Sequence, residues 1–361
     1  EADFFNKFYV MGLGEFSAVN NIILKGHISF PVQTTENPSP STIKSPNACV
    51  VPIGGGKDSI VSLEALKQAG RPLRMIAVNP GRPIKDVMGV ADVKGSILIT
   101  RNIDKALFEL NEKGAMNGHV PITGILSFIM ACGAILYGYD SVVMSNEGSA
   151  SEGNMEFGGI DVNHQYSKSL EFELDFEGFI KNHVLANFSY FSFLRPLSET
   201  GIACLFSSQD KYFEHFKSCN RNFHIDEGVR QYGWCCDCPK CRFVFLALAP
   251  FIDKDKLVTI FGKNMLNDPA QEQGFRELTG LLGHKPFECV GEIEECQYII
   301  KCLSTMPQWK DDHIVGALAT ELEIPALSQA ALKNQALKLK YQHNIPEDYR
   351  EDLNAFIRSC Q

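Results

Sequence analysis

The sequence lacks any surplus of positive charge. Its 361 residues include 34 Lys and Arg against 43 Asp and Glu, which gives a net charge of −9. Proteins that hold nucleic acid through its phosphates usually carry a basic excess, so we expect no nucleic-acid partner. A hydrophobic fraction of 45% excludes a wholly disordered chain, and 29 glycines are too few for a collagen-like one. A chain of this length is typical of about two globular domains.

Long uncharged segments are also scarce. Residues 122–139 carry no charged side chain, and such a run is about as short as a membrane-spanning helix can be. Gly124, Ser127 and Gly133 dilute the run, and the strand-like residues 141–144 follow at once. We therefore expect a helix buried in an α/β core, and no membrane partner.

The cysteines argue against a disulfide framework. There are twelve in a long chain without a signal peptide, although a start at Glu1 rather than Met leaves a removed leader as an alternative. Four of them crowd into residues 235–241, closer together than disulfide bonding needs. We expect a reducing, cytoplasmic location and one metal site.

The spacing within this cluster predicts the metal. Cys235, Cys238 and Cys241 are each separated by two residues, and Cys219 lies upstream. Four thiolates typically hold a tetrahedral zinc ion. Three alternatives stay open: Cys236 in place of Cys235, an iron–sulfur cluster, or a set of buried free thiols.

Strands and helices alternate through the middle of the chain. Short apolar runs predict strands at 48–52, 73–78, 96–100 and 141–145, with helical patterns between them. This alternation predicts an α/β fold with a parallel sheet and right-handed crossovers.

The most specific local signal is a glycine loop between the first predicted strand and the next helix. It reads Gly54-Gly55-Gly56-Lys57-Asp58-Ser59. Glycines let backbone N–H groups approach an anion, and the helix directs its N-terminal N–H groups and its dipole to the same point. Lys57 adds charge and Ser59 a hydroxyl. The loop therefore predicts a phosphate site, with an unliganded turn and helix cap as the alternative.

Two polar segments follow the predicted strand at 141–145. Ligands of open α/β sheets bind beyond the carboxyl ends of strands, so Asn146 and Glu147 are expected to face the same nucleotide. Glu147 would hold Mg²⁺ or the ribose, although a solvated loop is the alternative. Further on, residues 161–169 offer donors for a phosphate or carboxylate, and His164 can also move protons. A purely structural histidine is equally plausible there.

The glycine loop resembles the pyrophosphate loop of the ATP pyrophosphatases, Ser-Gly-Gly-x-Asp-Ser, with Gly54 in place of the first serine. A more specific resemblance rests on several segments together. With the Asn146–Glu147 loop and residues 162–168, 234–241 and 285–291, the chain resembles the UDP-N-acetylmuramoyl-L-alanyl-L-glutamate epimerases (MurL family) from about residue 8 onward.

This resemblance implies a fold and a reaction. The fold would be a parallel sheet of the adenine-nucleotide alpha-hydrolase (PP-loop) type with a helical C-terminal region. The enzyme would use ATP and Mg²⁺ to invert the terminal L-glutamate of the peptidoglycan precursor UDP-MurNAc-L-Ala-L-Glu, releasing AMP and pyrophosphate. Alternatives are a pyrophosphatase that amidates or thiolates a base or tRNA, and a non-enzymatic nucleotide sensor.

The residue patterns, together with this resemblance, predict regions and site residues. Residues 1–47 would be a strand-rich segment, with strands over 19–32, or the end of a truncated domain. Residues 48–252 would form the ATP-binding domain with the cysteine cluster, and residues 253–361 a helical, substrate-binding region. Nucleotide binding falls to Gly54, Gly55, Gly56, Lys57, Asp58, Ser59, Asn146 and Glu147, and substrate binding to Asn163, His164, Gln165, Lys168 and Lys285. The acid–base pair is not identified, and its candidates are His164, Lys168 and His119.

Overall fold

The computed structural model describes residues 1–32, 39–43, 48–151, 155–223, 228, 230–283 and 290–360. The strands within these ranges are β1 (Cys49–Pro52), β2 (Leu73–Val78), β3 (Ser96–Ile99), β4 (Ser141–Met144), β5 (Met155–Phe157), β6 (Ile160–Val162) and β7 (Ser189–Ser192). The helices are α1 (Ala2–Gly12), α2 (Gly14–Val19), α3 (Lys57–Gln68), α4 (Arg82–Val90), α5 (Lys105–Glu112), α6 (Ile122–Leu136), α7 (Leu170–His183), α8 (Glu199–Phe206), α9 (Pro239–Leu248), α10 (Lys254–Phe261), α11 (Glu272–Leu278), α12 (Ile293–Leu303), α13 (His313–Glu321), α14 (Gln329–Ala336) and α15 (Glu347–Ser359).

Five strands form one parallel sheet in the order β3-β2-β1-β4-β7, and β5 and β6 form a separate antiparallel pair. In the register, Cys49 of β1 pairs with Leu73 on one side and with Ser141 on the other. From β1 the chain moves outward through β2 to β3, and then crosses to the far side of β1 to form β4 and β7. The predicted α/β fold is confirmed, and the strand order reverses between β1 and β4.

The sheet is covered on both faces. Val50 of β1 belongs to one buried cluster together with Met130 of α6 and Phe172 of α7. Its neighbour Val51 belongs to the other cluster, with Leu63 of α3. Successive side chains of a strand point to opposite faces, so a sheet buried on both sides needs continuous apolar strands. That is why these short apolar runs could be recognised in the sequence.

The strands predicted over residues 19–32 are wrong. Residues 2–19 are helical in α1 and α2, and residues 20–32 form turns and irregular chain. Asn21 and Gly26 have φ angles of +53° and +84°, which interrupt an extended backbone. Apolar residues favour a strand when they can pack beside a partner strand, and this segment has none among the described residues.

Aromatic packing explains why the N-terminal segment is helical. Phe4 and Phe8 lie on one face of α1, four residues apart. The Phe4 ring lies 4.7 Å from that of Phe179, and the Phe8 ring 5.6 Å from that of Phe172. Because both partners belong to α7, α1 is held against one of the two helical layers that cover the sheet.

The predicted helical region after residue 253 is confirmed by α10 to α15. Within it, α14 spans Gln329–Ala336. Residues 146–250 contain α7, α8, α9 and β7. Of the helices in the described ranges, none combines the length and apolar character needed to cross a bilayer. The three-region division at residues 47 and 252 stays a prediction.

Candidate active site

A cleft of about 380 Å³ opens at the carboxyl edge of the sheet, where the strand order reverses. Its polar lining includes Gly54, Asp58, Ser59, Asn146 and Ser218. Its apolar wall comes from β2 and α6, and includes Val78, Leu126 and Met130. The glycine loop and Asn146 were predicted to meet here, whereas the apolar wall was not.

Gly55 determines the shape of the glycine loop. Its φ angle is +83°, in the left-handed region, and a Cβ atom at this position would lie 3.3 Å from the backbone nitrogen of Ile84. Any side chain here would be both strained and crowded. Gly56 is the N-cap of α3 and has no side chain to satisfy the first N–H groups of the helix. Those groups lie beside the cleft-lining Ser59, which suits them to an anion.

The Lys57 side chain lies inside the protein. Its ammonium group makes ion pairs with Asp58 and with Glu199 of α8, and the side chains of Lys57 and Glu199 are 3% and 2% exposed. Burial alone would lower the pKa of Lys57, but the two carboxylates raise it above its usual range. Burial also raises the pKa of Glu199, and the charge of Lys57 opposes this shift. Lys57 therefore anchors the loop to α8, and a phosphate contact by Lys57 stays a prediction.

The residues before Cys219 hold the glycine loop from another direction. The Lys217 N–H donates a hydrogen bond to the Gly55 carbonyl over 2.8 Å. Ser218 lines the cleft beside Gly56, and its buried hydroxyl has no hydrogen-bond partner among the described residues. Ser218 therefore brings a hydroxyl to the glycine loop, next to Gly56. No local motif pointed to it, because it lies far from the loop along the chain.

A buried ion pair fixes the loop that follows β4. The Arg195 guanidinium bonds the Glu173 carboxylate, and these side chains are 1% and 0% exposed. Arg195 also donates to the carbonyl of Glu147 over 2.8 Å and to the carbonyl of Lys168. One buried side chain thus ties the loop after β4 to the segment that carries the predicted substrate-binding residues.

Asn146 and Glu147 face different surroundings. Asn146 lines the cleft, and its side-chain amide donates to the Ser192 hydroxyl over 2.9 Å. Glu147 is buried, accepts a hydrogen bond of 3.3 Å from the Ser149 hydroxyl, and does not line the cleft. Asp58 does line it. Asp58 is therefore better placed than Glu147 to hold a cation beside bound phosphates.

The three acid–base candidates lie in one cluster, and Glu15 of α2 joins them. His164 Nδ1 lies 2.6 Å from Glu15 Oε2, and the ring centroids of His119 and His164 are 4.7 Å apart. The pKa of His119 is lowered mainly by burial. The charges of His164 and Lys168 also lower it. Glu15 was missed because no motif surrounds it, and it meets His164, 149 positions away, only in the folded chain.

The loop after β4 borders a second cleft as well. Gly148 and Asn163 line this space of about 280 Å³, whereas Asn146 lines the first cleft. The Gln165 N–H donates to Asn163 Oδ1 over 2.6 Å, which fixes the side chain of Asn163. The Tyr341 ring packs against Gly148 so closely that a Cβ atom would overlap it. The C-terminal region therefore contributes to the second cleft. Among the predicted substrate-binding residues, Lys285 lies outside the described residues.

Four thiols converge beside the glycine loop. The Sγ atoms of Cys219, Cys235, Cys238 and Cys241 all lie within 4.8 Å of one another. The Sγ separation is 4.0 Å from Cys219 to Cys238 and 3.7 Å from Cys235 to Cys241, too long for a disulfide bond. The Cys236 thiol points elsewhere, to a backbone carbonyl of α10 at 3.3 Å. The structure therefore selects Cys235 over Cys236 as a member of the cluster.

Comparison with known proteins identifies the family. The MurL N-terminal domain matches residues 1–193 and the MurL C-terminal domain matches residues 215–334. A UDP-N-acetyl-alpha-D-muramoyl-L-alanyl-L-glutamate epimerase of Xanthomonas oryzae pv. oryzae is 41% identical over 359 residues, which cover 96% of this chain and 77% of that protein. The chain belongs to the MurL family. The family recognised from the sequence is thereby confirmed.

Two further MurL proteins carry the same name. The one from a Micromonospora species is 44% identical over 301 residues, covering 83% of this chain and 66% of its own length. The one from Salinispora tropica is 45% identical over 284 residues, covering 79% of this chain and 60% of its own length. The chain thus spans between 60% and 77% of the length of these relatives. By these names the MurL family is one of epimerases, which are isomerases.

Proposed function

We propose that this MurL chain is an ATP-dependent epimerase acting in peptidoglycan precursor synthesis in the cytoplasm. It would invert the terminal L-glutamate of UDP-MurNAc-L-Ala-L-Glu through an acyl-adenylate, with AMP and pyrophosphate as the other products. The observation that carries the proposal is the match to an epimerase of this name over 96% of the chain. The proposed substrate is a small molecule, and the net charge of −9 argues against a nucleic-acid partner.

The position of the first cleft supports the use of ATP. Nucleotides bind to open parallel sheets at the point where the strand order reverses. The N-terminus of α3 and the hydroxyls of Ser59 and Ser218 offer hydrogen-bond donors for phosphates there. The apolar wall formed by Leu126 and Met130 offers a surface for the adenine ring.

Activation of the glutamate carboxylate gives the reaction its chemical logic. A Cα proton beside a carboxylate is very weakly acidic, because its removal places negative charge next to an existing one. Conversion to the acyl-adenylate removes that charge and lets the carbonyl accept the electron pair. A base can then take the proton, and an acid can return one to the opposite face. Hydrolysis would release AMP and the D-glutamyl product.

Asp58 is the residue that we assign to Mg²⁺. Its carboxylate lines the first cleft, and carboxylate oxygens are the protein ligands that Mg²⁺ prefers. When bound, Mg²⁺ would neutralise phosphate charge and assist the departure of pyrophosphate. Asp58 also contacts Lys57, so the same carboxylate connects the cation site to the buried anchor of the loop.

The activity can be tested directly. Incubation with ATP, Mg²⁺ and UDP-MurNAc-L-Ala-L-Glu is expected to produce AMP and D-glutamate in a ratio near one. D-glutamate is measured by chiral chromatography after acid hydrolysis, against a reaction without enzyme that corrects for chemical racemisation. No D-glutamate above that control would refute the epimerase. Equal amounts of D-glutamate with and without ATP would refute the acyl-adenylate intermediate but not the epimerase activity.

We also propose that Cys219, Cys235, Cys238 and Cys241 hold a structural zinc ion. Tetrahedral zinc with bonds of about 2.3 Å to sulfur requires sulfur–sulfur separations of about 3.8 Å. The separations of 3.7 Å between Cys235 and Cys241 and 4.0 Å between Cys219 and Cys238 are close to this value, and all four sulfurs lie within 4.8 Å of one another. A bound ion would hold Cys219 in place, and with it the adjoining residues that contact the glycine loop.

Two neighbouring cysteines provide a matched test of the zinc site. Cys235→Ser is expected to reduce bound zinc from about one ion per chain to a small fraction, measured by elemental analysis. It should also weaken ATP binding, because residues 217–219 lose their anchor. Cys236→Ser, which changes a thiol outside the cluster, should keep its zinc. Equal zinc contents in the two variants would contradict the assignment. Bound iron instead of zinc would indicate an iron–sulfur cluster at these cysteines.

A further inference from the structure

The contact between His119 and His164 limits how these two residues can act on the substrate. A base must come within about 3 Å of the atom that loses a proton, so two opposed groups stand about 6 Å apart with Cα between them. The two rings are in contact, with centroids 4.7 Å apart and planes inclined by 49°. No carbon fits between them. His119 and His164 therefore cannot serve opposite faces of one Cα atom in this arrangement.

A hydrogen bond to the Glu15 carboxylate distinguishes His164 from His119. Glu15 Oε2 lies 2.6 Å from His164 Nδ1, and a carboxylate at this distance favours the tautomer that carries its proton on Nδ1. The lone pair is then on Nε2, and the carboxylate stabilises the imidazolium that forms when Nε2 takes a proton. Glu15 and His164 are 34% and 24% exposed, so the pair is partly shielded from solvent and still open to a substrate.

Glu15, His119 and His164 are not lining residues of either cleft, but each is close in sequence to one. His164 directly follows Asn163, which lines the second cleft, and Met11 before α2 lines that cleft too. His119 comes shortly before α6, whose Leu126 lines the first cleft.

We infer that Glu15 is a positioning residue that fixes His164 as the acid–base group for one face of the glutamate Cα. This inference rests on the proposed epimerase function. His164 Nε2 takes the Cα proton while the electron pair of the C–H bond moves into the activated carbonyl. A proton donor on the opposite face, a water or a protonated side chain, then protonates Cα as the pair returns. His164 gives its proton to solvent before the next turnover.

The test separates inversion from activation. In Glu15→Gln the adenylate still forms and is hydrolysed, but the proton is removed about 10- to 100-fold more slowly. The ratio of AMP to D-glutamate is then expected to rise from near one to at least about ten, with L-glutamate recovered. Glu15→Asp should restore part of the coupling. Glu272→Gln removes a carboxylate from another imidazole, that of His313 at 2.9 Å, and should leave the ratio unchanged.

Each outcome decides the inference. A raised ratio in Glu15→Gln, together with partial recovery in Glu15→Asp, supports it. A ratio that stays near one while both products fall equally would overturn it, because a merely structural role slows both. AMP formation in the same reaction reports that the variant is folded. If the unaltered protein makes no D-glutamate at all, the proposed function fails first and this inference fails with it.

Discussion

Replacement of Arg195 by Met is expected to lower the free energy of unfolding by about 3–5 kcal/mol. The side chain is 1% exposed, and its charged partner Glu173 is fully buried. Met fills a similar volume but removes the charge, so the Glu173 carboxylate is left unpaired in the core. The carbonyls of Glu147 and Lys168 lose a donor as well. An unpaired buried charge is among the most costly defects that one substitution can create.

Arg195→Met should also affect activity, because Arg195 connects two segments of the candidate active site. Without it, the loop that carries Asn146 and the segment around Lys168 are no longer tied together. We therefore expect a reduced kcat/KM in Arg195→Met even at temperatures where the variant is still folded. Urea unfolding followed by circular dichroism measures the stability change, and the D-glutamate assay measures the activity.

Two controls make this result interpretable. Arg350→Met breaks an ion pair with Glu347 at the surface and should cost at most about 1 kcal/mol. The double variant Arg195→Met/Glu173→Leu removes both charges and should recover part of the loss, since an apolar pair of similar volume avoids the uncompensated carboxylate. A loss for Arg195→Met no larger than that for Arg350→Met would show that the buried pair does not hold this part of the structure together.

The parts of this protein that could be predicted are those with local signals. Strands such as β1 and β4 are continuous apolar runs because both faces of the sheet are buried. The loop from Gly54 to Ser59 is recognisable because backbone geometry requires glycine at Gly55, whose φ angle is +83°. Three of the four clustered cysteines lie within residues 235–241, so the cluster could be predicted from sequence neighbours, with Cys219 as the one more distant member. Each signal lies within a few residues of the feature that it predicts.

The parts that could not be predicted depend on contacts between distant residues. Glu15 meets His164 across 149 positions of the chain, and Arg195 reaches Glu147 across 48. Ser218 approaches Gly56 only in the folded protein. The strand prediction for residues 19–32 failed for a related reason, because β propensity has effect only when another strand is available to pair. Tertiary contacts, rather than local preferences, decide these positions.

Replacement of Lys57 by Met is expected to give the second large effect, and one that depends on pH. Near pH 8 we expect a loss of about 3–5 kcal/mol in the free energy of unfolding, because Glu199 is then a buried carboxylate without its cation. Burial raises the pKa of Glu199 in the folded protein, and removal of Lys57 lets it rise further. The folded state then keeps a proton that the unfolded chain releases near its ordinary pKa of 4.5.

The sign of the pH dependence follows from this difference in proton binding. A group whose pKa is higher in the folded state stabilises the fold at low pH, and that stabilisation is lost as the pH rises toward the folded-state pKa. The deficit of Lys57→Met relative to the unaltered protein should therefore stay level from pH 5 to about pH 7, the pKa of Glu199 with Lys57 present, and grow from there toward pH 8. Urea unfolding from pH 5 to pH 8 measures it. In Lys57→Met/Glu199→Gln the carboxylate is gone, and the further growth of the deficit between pH 7 and pH 8 should disappear. A deficit in Lys57→Met that is the same at both pH values would mean that Glu199 does not depend on Lys57, and that the glycine loop is held to α8 by other contacts.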